Sequence, residues 1–543
     1  MFCLWGRTSP ARPARTLGKP SSRRIKTISE LDVVGWRSAI EDALDRPDST
    51  PILNLDNDGE GVYDAIFVGG GAAGRFGGSY LRAMGGRALI IDRWPFLGGT
   101  CPHQACVPHH LFSEAAALLD RARWFSGELF FAEFDPERAS ILDLVELFRG
   151  GRSTAHAFMN WQTQVQLEVE FVLNAEAQII DAGTVSAAGR TFSARNLVIG
   201  LGAQQRPLTI PGGDLPGVHD WVTLVEDLDY EPRRCVIVGG GKVAVEYGAF
   251  FHATGCETTI VSRSPVMRTR SLHHVDEDVR RYVVNGMRAR GMTLLEGANV
   301  TAIEGDGRVE RVVVSHPDGS VETIECDFVF NCTGERPNSD HAVAALGVAT
   351  GPGGEILVDD HMRTSVDGVY AAGDVIGSPM EMFKARKCGM TAARNVMGED
   401  YTFDFSEYPD FLHTTYEVSW VGLSEEEARE RYDDIAVIRM PPKGQERDNP
   451  LPCAEGTMLY AFAKPELSGL QKCIIDSSSR RILGFHHVGY GAKDAFQYLD
   501  YLLRRPEGLT IDELGEMNEL FLNPEHFIQL SRLRAGRRAL VDL

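Results

Sequence analysis

The sequence predicts an α/β protein with two Rossmann-like nucleotide-binding domains followed by a C-terminal α+β domain. Three observations carry this. A strand, glycine turn, helix, strand and acid follow one another over 64–92. The same unit recurs about 170 residues later, over 235–263. Residues 411–480 then alternate apolar and polar as antiparallel strands do, for example over Thr457–Ala463.

The length, 543 residues, suits three or four domains, and 43% apolar residues can fill several cores. A net charge of −21 opposes an extended nucleic-acid interface. No apolar run has the length of a membrane span. Ten cysteines in so long a chain are no disulfide scaffold, and their usage fits a reducing, cytoplasmic compartment. Residues 1–27 hold seven Arg and Lys and no acid. That reads as a transit-like segment, a disordered arm or an upstream start, and it is set aside from the fold. Residues 29–45 predict an amphipathic helix, and a Pro/Asp/Asn/Gly-rich linker follows over 47–61.

In the first unit the strand Asp64–Val68 runs into Gly69, Gly71 and Gly74, and the next strand ends in Asp92, 18 residues after the last glycine. The glycines let a pyrophosphate approach the backbone at a helix N-terminus, and the acid suits ribose hydroxyls. Cys101 and Cys106 come next, five positions apart. A regular helix would hold their Cα atoms roughly 8–9 Å apart, beyond the span of about 7 Å that a disulfide bridges. If they pair, the helix is distorted, and Pro102 and Pro108 are suited to distort it. Two unrelated core cysteines would show the same spacing, but their neighbourhood argues against that. Residues 111–150 read as helical and 166–201 as strands. The second unit carries Gly239, Gly241 and Ala244, and its strand leads into Arg263 where the first unit has an acid. An Arg there suits a 2′-phosphate, hence NADP(H), with a solvated surface Arg as the alternative. A further strand, Val369–Ala371, leads to Asp374.

These motifs, in this order, resemble the pyridine nucleotide–disulfide oxidoreductases. The resemblance implies five segments: an N-terminal extension (1–60), an FAD-binding domain with the redox cysteines (61–210), an NADPH-binding domain (211–345), a second part of the FAD domain (346–410) and a dimerisation domain (411–543). It implies FAD at Gly69, Gly71, Gly74, Asp92 and Asp374, and NADPH at Gly239, Gly241, Ala244 and Arg263. It makes Cys101 and Cys106 a redox-active disulfide, Cys101 meeting substrate and Cys106 meeting the flavin. It also implies a homodimer in which the C-terminal segment completes the partner's site.

Two departures narrow the likeness. Common members place a Lys shortly after the second cysteine, where this chain has His109 and His110. They also carry a C-terminal His–Glu pair, the His acting as acid/base for the first thiol. Here Phe521 stands in place of the His and His526 in place of the Glu. With Gly70–Phe76, Arg93–Gly99 and Pro379–Lys387, this resembles one branch of the family, the 2-ketopropyl-coenzyme M oxidoreductases/carboxylases. That resemblance implies 2-oxopropyl-coenzyme M, CO2 and NADPH as substrates, with acetoacetate and coenzyme M as products. Phe521 would deny a proton to the enolate, and His526 would hold a water or the enolate oxygen from a distance. His103 would position CO2 or enolate, or serve a structural hydrogen bond. Arg75 and Arg386 would bind the sulfonate. Glu246 is expected to partner His109, and Lys242 has no assigned role. The rival expectation is an NADPH-dependent reductase of a small disulfide. No nucleic acid, membrane or metal is expected as a partner.

Overall fold

Strands covered on both faces read as continuous apolar runs, and two stretches of this chain do so at their cores. The computed structural model describes residues 50–125, 139–269, 272, 274–405, 408–440, 469–489 and 491–518. The predicted helix over 29–45, the strand run at 457–463, Phe521 and His526 lie outside the described residues.

The first sheet contains β1 (Ile52–Asn54), β2 (Val62–Val68), β3 (Ala88–Ile91), β4 (Glu170–Leu173), β5 (Gln178–Asp181), β6 (Thr184–Ala187) and β7 (Arg190–Ile199), in the order β1-β4-β3-β2-β7-β6-β5. The late strand Val369–Ala371 pairs parallel with β7. Strands β4, β3, β2 and β7 run parallel, so their carboxyl ends share one edge. Gly69, Asp92 and Gly200 follow directly from β2, β3 and β7, and Asp374 follows the late strand. Ligands bind at this edge of an open α/β sheet, where the strand order reverses. Helix α1 (Ala72–Ala83) starts there, and so do the short α2 (Thr100–His103) and α3 (Cys106–Phe125). Helix α4 (Ile141–Trp161) begins at Ser140, whose side chain accepts from the Asp143 N–H as an N-cap.

The second sheet has five parallel strands, β8 (Val218–His219), β9 (Arg234–Val238), β10 (Glu257–Ser262), β11 (Thr293–Glu296) and β12 (Phe328–Asn331), in the order β11-β10-β9-β12-β8. Its helices include α5 (Trp221–Glu226), α6 (Lys242–Ala253) and α7 (Glu277–Ala289). Helix α6 lays Phe251 on the sheet and stacks Phe250 on Phe112 of α3. Phe251 is fully buried, with its ring 5.3 Å from that of Phe328 and 5.1 Å from that of Phe330.

The third layer is an antiparallel sheet of β13 (Asp410–His413), β14 (Glu417–Gly422), β15 (Ile435–Met440), β16 (Leu470–Asp476) and β17 (Ile482–Val488), ordered β13-β14-β17-β16-β15, with α8 (Ala492–Leu503) packed on it. Lys472 of β16 is buried and reaches Asp276 and Asp278 at 2.9 Å and Glu425 at 2.6 Å, tying this sheet to the start of α7.

Truncating Phe251 to Ala removes a ring with no room to collapse into. The expected loss is about 3–5 kcal/mol, read as a lower denaturant midpoint with an unchanged slope.

Candidate active site

The turn after β2 is built for close approach. A Cβ on Gly74 would lie 1.9 Å from the Gly69 carbonyl oxygen, so only glycine lets α1 start there. The Asp92 carboxylate accepts from the Gly70 N–H and, at 2.8 Å, from the Trp94 N–H. Burial raises this carboxyl, and the two backbone donors oppose the rise. A second close approach sets the thiols. A Cβ on Gly99, whose φ is +69°, would lie 2.7 Å from the Gly71 Cα. The Gly98 N–H donates to the Gly70 carbonyl at 2.8 Å. The segment that carries the cysteines is thereby pressed onto the glycine turn.

The two sulfurs meet because the helix breaks between them. Gln104 has φ −142° and ψ −17°, which ends α2. The Thr100 carbonyl accepts from both Gln104 and Ala105, at 2.8 and 2.9 Å. Helix α3 starts afresh at Cys106, and Pro108 has no N–H to offer the Gln104 carbonyl, so no regular turn spans the break. Cys101 and Cys106 are free thiols, and the proximity of Cys101, with burial, pushes the Cys106 thiol well up. Both thiols face a cavity of about 740 Å3.

The same cavity is lined by Gly69, Gly71, Asp92, Glu335, Asp374 and Met380. Burial lifts the Glu335 carboxyl to about 7 and that of Asp374 to about 6. A Cβ on Gly71 would find its nearest neighbour 3.7 Å away, so the N-terminus of α1 stays open to a ligand. A dinucleotide fits such a wall: an open helix N-terminus for the pyrophosphate, an acid at the end of the next strand for a ribose, and thiols halfway along.

In the second unit Gly239 and Gly241 form the turn between β9 and α6, and Ala244 is fully buried on α6. Arg263 is exposed directly after β10.

Arg75, on α1, is buried, with Nε donating to Thr163 Oγ1 at 2.9 Å and Nη2 to Gln162 Oε1 at 2.7 Å. Burial and the charge of Arg386 lower it to about 10. The guanidinium carbons of Arg75 and Arg386 lie 5.9 and 4.6 Å from the centre of the Phe76 ring. Among the described residues neither Arg is paired with a carboxylate. Arg386 follows Ala385, which lines the cavity, on α9 (Met382–Val396).

His103 turns away from that cavity. Its Nδ1 is 3.3 Å from His156 Nε2, its Nε2 is 3.4 Å from Glu226 Oε1, and its ring centre is 4.4 Å from that of Phe96. Burial, helped by Arg152, takes His103 down to about 4. Burial, helped by His103 and Arg152, takes His156 down to about 3. Both imidazoles are neutral at pH 7.

The expected Glu246–His109 pair is a 3.7 Å contact between two neutral groups, not a salt bridge. Burial holds Glu246 up at about 8 and His109 down at about 3. Glu246 Oε1 instead accepts from the His413 N–H at 2.8 Å. The cation near it is Lys242, whose Nζ is 2.8 Å from both Glu381 and Asp410. Sequence reasoning missed Lys242, His156, Gln104 and Glu226, because their partners lie far away along the chain.

Electron exchange between a nucleotide and a dithiol is the chemistry this wall supports, and a protein of that class is a dinucleotide-dependent dithiol oxidoreductase. The comparisons agree. The sequence matches "Pyridine nucleotide-disulphide oxidoreductase" over residues 63–389 and the dimerisation domain of that family over 408–525. The chain belongs to the pyridine nucleotide-disulphide oxidoreductase family, whose cofactors are FAD and NAD(P)H. It is 28% identical over 513 residues to a mercuric reductase of Lysinibacillus sphaericus, covering 93% of this chain and 88% of that protein. It is 25% identical over 462 residues to a glutathione reductase of Yarrowia lipolytica, covering 81% and 93%. The fold is shared with the HOCl-induced flavoprotein disulfide reductase RclA of Escherichia coli, at TM-score 0.70 and 21% identity, over 87% of this chain and 100% of that one. No helix among the described residues is long and apolar enough to cross a membrane.

Because Glu246 keeps a proton in the folded state up to pH about 8 and loses it near pH 4.5 when unfolded, its contribution falls as pH rises between those values. Glu246→Gln carries no charge at any pH. Its thermal midpoint, followed from pH 4 to 9, should decline less steeply than the wild type's across that window.

Proposed function

We propose that this enzyme cleaves the thioether of 2-oxopropyl-coenzyme M with electrons from NADPH and carboxylates the released enolate to acetoacetate. The Arg75–Arg386 pair carries the reading. Two guanidiniums that share one phenyl ring, repel each other and have no carboxylate partner among the described residues suit a permanently anionic ligand group, and a sulfonate is such a group. The two neutral imidazoles near the thiol bend are the second support, since neither is an imidazolium that would protonate an enolate.

The FAD residues are Gly69, Gly71, Gly74, Asp92 and Asp374. NADPH is assigned to Gly239, Gly241, Ala244 and Arg263. Bound FAD supplies the route by which a hydride becomes the electron pair that opens the Cys101–Cys106 disulfide. Cys101 thiolate then attacks the thioether sulfur, forming a mixed disulfide with coenzyme M and expelling the acetone enolate. CO2 takes up the enolate carbon and yields acetoacetate. Cys106 thiolate attacks the Cys101 sulfur, re-forms the disulfide and releases coenzyme M thiolate. Phe521, with no labile proton, keeps the enolate from being quenched to acetone, and His526 acts from a distance. Of the two roles open to His103, its contacts with His156 and Glu226 favour the structural hydrogen bond over positioning the enolate or CO2. The dimerisation domain supports a homodimer, and in this reading the C-terminal segment of one subunit completes the site of the other.

The similarity to mercuric and glutathione reductases supports a second reading, a dithiol that reduces a soft metal ion or a small disulfide. One assay separates the two. With NADPH, 2-oxopropyl-coenzyme M and labelled bicarbonate, labelled acetoacetate is expected. NADPH consumption with Hg(II) or oxidised glutathione alone, and none with the thioether, would favour the second reading.

Phe521→His should divert product from acetoacetate to acetone, since a well-placed acid changes proton transfer by ~10²–10⁴-fold. An unchanged product ratio would remove the role given to that ring. Arg386→Met should raise KM for the thioether roughly 10- to 100-fold, the loss of one charge-assisted contact, with a smaller effect on kcat.

A further inference from the structure

The bend that brings the two sulfurs together is held from outside its own loop. Gln104 is buried, and its Nε2 donates to Glu226 Oε1 at 3.1 Å. Glu226 is the last residue of α5, in the second nucleotide-binding unit, 122 residues further along the chain. The Arg152 guanidinium of α4 grips both of its oxygens, through Nη1 at 2.6 Å and Nη2 at 2.8 Å. Parallel bonds of this kind are strong and directional. Arg152 Nη1 also donates to the His103 carbonyl at 3.5 Å, and His103 Nε2 is 3.4 Å from Glu226 Oε1. Burial works against the Glu226 charge, but the bonds from Arg152 and Gln104 outweigh it and keep the carboxyl below its ordinary range. One ionised carboxylate therefore binds two consecutive residues of the bend and the helix behind them.

We infer that Glu226 is a positioning residue for the thiol pair: by holding Gln104 out of helical geometry it keeps the Cys101 and Cys106 sulfurs facing, and so sets the stability of their disulfide. The inference rests on the reading of these cysteines as a redox couple. A disulfide closes more favourably the more often its two sulfurs meet in the reduced protein, which is an effective-concentration term. Released from Glu226, Gln104 is free to turn helical, and the cysteines drift toward the roughly 8–9 Å Cα spacing of a regular helix. The dithiol then gains on the disulfide and the couple becomes more oxidising. Helix α5 also touches the cavity, through Trp221, Val222 and Thr223 at its other end. One short helix thus contacts both the nucleotide wall and the thiol bend.

The test is a redox titration of FAD-loaded holoenzyme in anaerobic dithiothreitol buffers, with free thiols counted by alkylation and mass. Each turnover transfers two electrons and two protons from dithiothreitol, which closes to its cyclic disulfide, to the Cys101–Cys106 bond, which opens to two thiols. Glu226→Ala and Gln104→Leu should each shift the equilibrium about tenfold toward the dithiol, about 30 mV. The double variant should go no further than the larger single shift, because both remove one contact. Gln104→Leu leaves the Arg152–Glu226 pair intact, so it reports even where Glu226→Ala folds poorly. Lower thermal midpoints with an unmoved potential would make Glu226 merely structural and overturn the inference. A wild-type protein with no titrating pair overturns the redox reading and this inference with it, whereas a titrating wild type with unshifted variants overturns this inference alone.

Discussion

A helix separates residues five apart by more than two sulfurs can bridge, and the site depends on breaking that helix in one place. Gln104 takes the break, Pro108 prevents its repair, and both thiols face one cavity. The Gly71–Gly99 approach then presses the broken segment against the dinucleotide turn, so the sulfurs and the nucleotide share one wall. A side chain larger than hydrogen at Gly99 would separate the two halves of the chemistry.

Burial decides the charge state of several groups behind that wall. It keeps Glu246 protonated at pH 7 and His103, His156 and His109 neutral. The half-buried Lys242 stays charged because Glu381 and Asp410 flank it. Arg75 and Arg386 are the exception in sign, two cations set together with no paired carboxylate among the described residues.

The three layers meet through ions rather than through apolar contact alone. Lys242 of the second unit joins Glu381 beside the cavity to Asp410 of the antiparallel sheet, and Lys472 joins that sheet to the start of α7. Buried pairs of this kind add little net stability, but removing one partner strands a charge. Their geometry therefore constrains how the layers sit far more than it strengthens them.

Both nucleotide units and the thiol pair were legible in the sequence, because each is a local pattern whose parts lie within about thirty residues, as the fingerprint requires. The antiparallel C-terminal layer was expected from alternation, but its described strands β15, β16 and β17 are buried almost continuously, and the example run at 457–463 lies outside the described residues. The break at Gln104 was foreseen only as a condition on pairing, and its holder, Glu226, was invisible, since a contact across 122 residues leaves no period in the chain. Lys242 looked idle for the same reason, with partners 139 and 168 residues away. The sequence determined which chemical groups are present and which short segments become strand, turn or helix, since backbone sterics and side-chain periodicity act locally. Only the tertiary structure decided which of those groups are charged and which ones touch, because desolvation and long-range contact exist only once the layers have packed.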